Sequence, residues 1–254
     1  MWLRWLLALP LLVLVAQVLE RPDWRAVARA WPWVLALGAT GLAGYTLLLY
    51  AALRLTTPLD AAIVNAVNPA LIVLAAVALL GERVTARGVL GVAVAFVGVV
   101  VVLTDGRPAA ALTGGVNGGD LLMLGAISTW TAYTVIGRRG PRLPPVASTA
   151  AQALVVVVGL APVVAVAGLR LPGDAAGMWA LVFIVLLPSV GSYVLWNTAL
   201  RTVPPSRAGV YLNLITVFTA AATALLGHPL SAAQLVGGAV VLAGIALTTT
   251  ATPR

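Results

Sequence analysis

The residues of this chain that could do chemistry are uncharged, and most come in pairs at helical spacing. Asn65 and Asn68 lie three apart, as do Trp130 and Tyr133, and Asn213 and Thr216. Ser192 with Trp196, and Tyr193 with Asn197, lie four apart, while Tyr45 stands alone in an apolar run. On an α-helix these spacings put both members on one face. Each pair would then offer amide, hydroxyl or aromatic groups to one neighbour or one cavity. That is the chemistry of recognition. There is no Cys, one His (His228) and seven acids, a set that supplies neither a nucleophile with its base nor a cluster of metal ligands. A membrane-embedded enzyme is the least favoured reading, and no cofactor or metal is expected.

The surroundings of these residues set what they can mean. The chain has 254 residues, 61% hydrophobic and 9% charged, with a mean hydropathy of +1.06. A soluble domain carries roughly 25% charged residues, so the surplus apolar surface must face lipid. Nine apolar segments are predicted as membrane helices, at about 2–19, 31–53, 58–80, 86–104, 119–137, 146–168, 177–200, 206–227 and 231–250. Each approaches the roughly 20 residues that cross a bilayer. A barrel is excluded, because no segment alternates polar with apolar residues. The fold class is thus all-α, a polytopic membrane helix bundle. Residues 1–19 match a signal peptide poorly, since Ala16-Gln17-Val18-Leu19-Glu20 is a weak cleavage context.

Polar groups are costly in lipid and tend to face the bundle interior or a wet cavity. Tyr45, Asn65, Asn68, Trp130, Tyr133, Ser192, Trp196, Asn197, Asn213 and Thr216 are therefore candidates to line a substrate cavity. The competing reading of each Asn or Ser is a hydrogen bond that glues helices together. Trp24, Trp31 and Trp33 fit an interfacial belt instead. Asp60, Glu82 and Asp120 lie at or beyond segment ends, so no acid stands at mid-membrane. Asp60 is the nearest candidate for coupling to protons, although an acid at a helix start is also favoured by the helix dipole. Strong proton antiport is not expected.

The chain also states its pattern twice. Trp33, Ala52-Leu53-Arg54, Pro58, Leu79-Leu80-Gly81, Gly91 and Gly98 are answered by Trp179, Ala199-Leu200-Arg201, Pro205, Leu225-Leu226-Gly227, Gly237 and Gly244. The organisation expected is a first repeat over 1–104 with four helices, a linker over 105–118, and a second repeat over 119–254 with five. Four plus five suggests an ancestral five plus five, and an odd count inverts one repeat relative to the other. The glycines two turns apart make faces for close helix approach, within the bundle or between two copies as a homodimer. All fifteen basic residues are Arg, which reads as a GC-rich, bacterial coding bias. They sit mostly in short loops, so the net charge of +8 speaks of membrane orientation rather than nucleic acid.

The chain resembles the drug/metabolite transporter superfamily, in particular its EamA-type branch of ten-helix carriers. The resemblance rests on Asn68-Pro69-Ala70 followed by Leu79-Leu80-Gly81-Glu82-Arg83-Val84-Thr85. Gly119-Asp120-Leu121-Leu122 through Trp130-Thr131-Ala132-Tyr133, and Asn213-Leu214 through Gly227-His228-Pro229-Leu230-Ser231, support it. Three features depart from the pattern. The helix that opens it has no counterpart here, Thr216 stands where the second repeat usually has Pro, and His228 stands where it usually has Glu. The resemblance implies an inner-membrane carrier that exports a small metabolite, amino acid or drug-like compound by alternating access. Its expected partners are that small molecule and the lipid bilayer. A membrane assembly protein without a transport path is the alternative.

Arginine counting gives the orientation. Arg21, Arg25, Arg29, Arg83, Arg87, Arg138, Arg139, Arg142, Arg201, Arg207 and Arg254 fall on one side, against Arg4, Arg54, Arg107 and Arg170 on the other. The richer side is predicted to be cytoplasmic, and the C-terminus with it. A single thiol introduced by Arg139→Cys should then react with an impermeant reagent in inside-out vesicles and stay silent in right-side-out ones. The reverse labelling would sink this topology.

Overall fold

The computed structural model describes residues 1–107, 109, 117–169, 171–227 and 229–249. Most of the linker, Arg170, His228 and the C-terminal residues lie outside them. The described residues form ten helices and no strand. These are α1 (Trp2–Leu19), α2 (Trp24–Arg29), α3 (Trp31–Ala52), α4 (Pro58–Leu80), α5 (Ala86–Leu103), α6 (Gly118–Arg139), α7 (Pro145–Ala167), α8 (Ala175–Thr202), α9 (205–225) and α10 (Ala232–Thr249). Six of them, α1, α3, α4, α5, α7 and α8, are long and apolar enough to cross a membrane. The helix α6 is long enough but carries Ser128, Thr129, Thr131 and Thr134 among its apolar residues. The helix α9 is interrupted, and α10 is apolar and as long as α1 and α5. The protein is a polytopic helical membrane protein.

Local chemistry explains where the helices begin. Thr57, Thr85 and Asp174 accept hydrogen bonds from the amides of Asp60, Gly88 and Gly177 at 3.1, 3.1 and 2.9 Å. Ser231 and Gln234 exchange two such bonds, each of 3.1 Å, as a capping box. The helices α7 and α9 start instead at Pro144-Pro145 and Pro204-Pro205, where no side chain caps locally. A carboxylate from another helix end fills the gap in each case. Glu20, just past α1, accepts from the amides of Val146 and Ala147 at 3.0 and 2.9 Å. Glu82, just past α4, accepts from the amide of Ser206 at 3.2 Å. An acid at a helix N-terminus also meets the positive end of the dipole. Glu82 is thereby given a structural task.

The chain forms two compact units, Met1–Leu47 with Ile136–Thr202, and Leu48–Val135 with Val203–Arg254. Each takes helices from both sequence repeats. In the first unit α1 lies antiparallel along α7, with Trp2 Nε1 donating to the Val157 carbonyl at 2.8 Å and Glu20 at the other end. In the second unit α4 packs on α9, and α5 makes the most extensive helix contact of the chain with α10.

That last contact is backbone on backbone. A Cβ added at Gly91 would lie 2.6 Å from the Gly244 carbonyl oxygen, and one at Gly244 would lie 2.6 Å from that of Gly91. Gly98 and Gly237 face each other in the same way, at 2.8 and 2.9 Å. The helices run antiparallel, so each glycine of one repeat meets the non-equivalent glycine of the other. Of the two uses the sequence leaves open for these faces, the structure shows the one within the chain. They are already consumed inside one chain. Gly244→Ala and Gly98→Ala should lower stability by about 1–3 kcal/mol, the usual cost of overpacking. Gly238→Ala, with open space around its Cβ position, should leave stability unchanged or raise it by up to about 1 kcal/mol. Thermal unfolding in detergent makes the comparison, and equal effects at all three positions would contradict the packing.

Candidate functional site

In the second unit the two helices that answer each other in the repeats, α4 and α9, are both broken. The helix α4 stops at Asn65 and resumes at Asn68. Pro69 lacks the amide that would bond the carbonyl four residues back, and the amides of Ala66 and Val67 bond three residues back, to Ile63 and Val64. The helix α9 tightens into a 3-10 turn at Tyr211–Asn213. Around these breaks lies a cavity of about 320 Å³. Asn65 and Pro69 of α4 line it, with Asn213 and Thr216 of α9, Val99 of α5 and Gln234 of α10.

Two amide atoms belonging to residues of this lining are unsatisfied. Asn65 Oδ1 and Asn213 Nδ2 are buried and have no hydrogen-bond partner, and Asn213 as a whole is only 3% exposed. A buried polar group left unpaired costs about 1–3 kcal/mol. Together the two atoms can accept one hydrogen bond and donate another. Thr216 and Asn213 both line this cavity.

The other second-unit candidates are used for structure. Asn65 lines the cavity, whereas Asn68 is not among its lining residues. Asn68 is buried, and its Oδ1 accepts from Thr131 on α6 at 3.4 Å. Trp130 and Tyr133 stack in a tilted pair with ring centroids 5.4 Å apart, and Tyr133 is fully buried. Asp60 closes the cap of α4, with Thr57 Oγ1 donating to its carboxylate at 2.7 Å. Asp120 caps α6, accepting from Thr56 Oγ1 at 2.8 Å and from the Asn117 amide at 3.0 Å.

The first unit holds a feature that periodicity alone does not reveal. The repeat-equivalent helices α3 and α8 each widen into a π-helical segment, Gly38–Gly44 and Val185–Gly191. Such segments free backbone groups inside a span, and side chains must answer them. Tyr193 Oη donates to the Gly41 carbonyl at 2.8 Å. Pro188 has no amide to give the Ile184 carbonyl, and Ser189 Oγ donates to that oxygen at 2.7 Å. Ser189, fully buried, in turn accepts from Arg4 Nε at 2.9 Å.

Charge counting by side puts Arg4 among the outer loops. The structure instead places it within α1, its guanidinium bonded to a residue about halfway along α8. Its only sequence signal is that it interrupts an apolar run one turn from the helix start. Trp5 packs beside it, edge-on to Tyr193 with centroids 5.1 Å apart, and Tyr45 stands just past the π segment of α3. Asn197 donates to Thr149 Oγ1 at 3.0 Å, the gluing role. It also borders a first-unit cavity of about 410 Å³ with Trp196's neighbours Leu200 and Arg201, and with Gln152. Trp196 is partly buried, and Ser192 is exposed rather than turned into the unit.

Antiparallel helices, interrupted or widened inside their apolar spans, define a polytopic helical membrane protein. The chain belongs to the EamA-like transporter family, whose pattern matches residues 1–104 and 117–250. It is 29% identical to the uncharacterized transporter YyaM of Bacillus subtilis (strain 168), over 82% of this chain and 70% of that protein. An uncharacterized transporter of Archaeoglobus fulgidus is 29% identical over 97% of this chain and 85% of its own length. A crystal structure of a protein 22% identical to this one matches its fold with a TM-score of 0.82, over 98% of this chain and 86% of the other.

Proposed function

We propose that this protein exports a small, amphipathic metabolite, amino acid or drug-like compound across the bacterial inner membrane by alternating access. Its nine membrane segments form a four-helix repeat over 1–104 and an inverted five-helix repeat over 119–254, joined by the linker. The antiparallel exchange of Gly91 with Gly244, and of Gly98 with Gly237, supports the inversion, since a twofold axis in the membrane plane produces that pattern. The observation that carries the site is the cavity between the breaks of α4 and α9, where Asn65 Oδ1 and Asn213 Nδ2 wait unpaired. A cargo bearing one donor and one acceptor satisfies both, and its apolar part lies on Val99 and Pro69. Asp60 is committed to its helix cap, so transport runs down the cargo's own gradient with little dependence on pH.

The cargo is found by comparing metabolites retained in cells with and without the gene, and its flux is then measured in proteoliposomes. Asn213→Ala and Asn65→Ala should each weaken apparent affinity about three- to tenfold, the value of one uncharged hydrogen bond. Leu74→Ala, at an outward-turned position, should not. Flux untouched by both Asn variants would remove the cavity from the transport path. Flux that requires a proton gradient and vanishes in Asp60→Asn would overturn the uncoupled mechanism. A protein that moves nothing would favour the assembly role.

A further inference from the structure

Arg4 is a charge inside a membrane-spanning helix, and it lacks a counter-ion among the described residues. The acids of its unit are Glu20, Asp23 and Asp174. Glu20 is bonded to the start of α7, Asp23 caps α2 and meets Arg29, and Asp174 caps α8. Among the described residues, the hydrogen bond Arg4 makes is the one from Nε to Ser189. A charged side chain at such a place is costly and marks a ligand or ion path.

The guanidinium is also held in one orientation. Ser189 cannot turn away, because its hydroxyl hydrogen is spent on the Ile184 carbonyl that Pro188 leaves open. Its lone pair therefore faces Arg4 Nε. The Trp5 ring lies 5.0 Å from the guanidinium carbon and supplies a π face. With one edge anchored, the two terminal nitrogens point away from Ser189 with their donors unused. That fork matches a carboxylate, which takes two parallel N–H bonds and returns one negative charge for one positive. A phosphate dianion would leave a net charge in the span.

We propose that Arg4, oriented by Ser189 and Trp5, is a binding site for the carboxylate group of a small organic acid or zwitterion, and that such compounds are the cargo class. The assignment of cargo rests on the transport reading above, whereas the binding site does not. The test uses the full chain in detergent and asks whether phenylacetate, its neutral analogue phenylacetamide, or inorganic phosphate raises the unfolding temperature. Phenylacetate should stabilise saturably and the amide should not. Arg4→Gln should weaken phenylacetate binding at least about tenfold, and Arg4→Lys, a point charge without the fork, by less. Ser189→Ala keeps the charge but releases its anchor, and should weaken binding about threefold or more. Should Arg4→Gln fail to fold, the Lys and Ala variants carry the test. Equal stabilisation by acid and amide, stabilisation by phosphate alone, or unchanged binding in these variants would overturn the site. Arg4-dependent binding without any flux of carboxylates in proteoliposomes would keep the site and remove the cargo assignment. Carboxylate flux indifferent to Arg4 would likewise detach the cargo from this site.

Discussion

Lipid offers no hydrogen bonds, so every backbone group in the span must find its partner within the chain. Much of this structure follows from that constraint. Regular helices satisfy it by themselves, and interest gathers where they fail to. Pro188 removes a donor from α8 and Ser189 replaces it. The π segment of α3 is met by the hydroxyl of Tyr193. The Pro-Pro starts of α7 and α9 have no cap of their own, and Glu20 and Glu82 reach across to supply one. Each irregularity is thus bound to a named side chain elsewhere in its unit, which ties remote parts of the sequence together.

The glycine contact does a different kind of work. With no hydrophobic driving force between helices in lipid, close packing must hold them. Four glycines let the backbones of α5 and α10 touch, giving the second unit a rigid wall. Against that wall the broken helices α4 and α9 leave their cavity, and Val99 and Gln234 of the wall reach into it. Rigidity on one side and unsatisfied amides on the other are what a binding site for a small polar group needs. Asn65 Oδ1 and Asn213 Nδ2, of residues that line the cavity, are left without hydrogen-bond partners.

Much of this is legible in residue order. Apolar runs mark the helices, and Thr57, Thr85 and Ser231 mark where they start. The duplicated Gly91, Gly98, Gly237 and Gly244 announce a close contact, but not that its two faces belong to the same chain. Asn213 and Thr216 are readable as a cavity pair from their spacing. Asn65 lines that cavity while Asn68 is taken up by Thr131 on α6, a difference that spacing alone does not give. The π segments are invisible, since they depend on tertiary partners rather than on local preference. Arg4 is misplaced for a related reason. Counting charges by side assigns any Arg near a segment end to the loop, and only its partner Ser189, 185 residues away in sequence, shows that it points inward.

The central claim is that the space between the breaks of α4 and α9 is a watered cavity open to cargo. The chain has no cysteine, so one introduced thiol reports without background. The thiolate, which forms only in contact with water, attacks thiosulfonate reagents and expels a sulfinate. Thr216→Cys, on the cavity wall, should react readily with a small charged reagent of this kind in membrane vesicles. Phe218→Cys, on the same helix but 68% exposed on the outer surface of the chain, should react far more slowly in lipid. If the thiol of the Thr216→Cys variant is as inert as that of Phe218→Cys, the cavity is closed and dry, and the account fails.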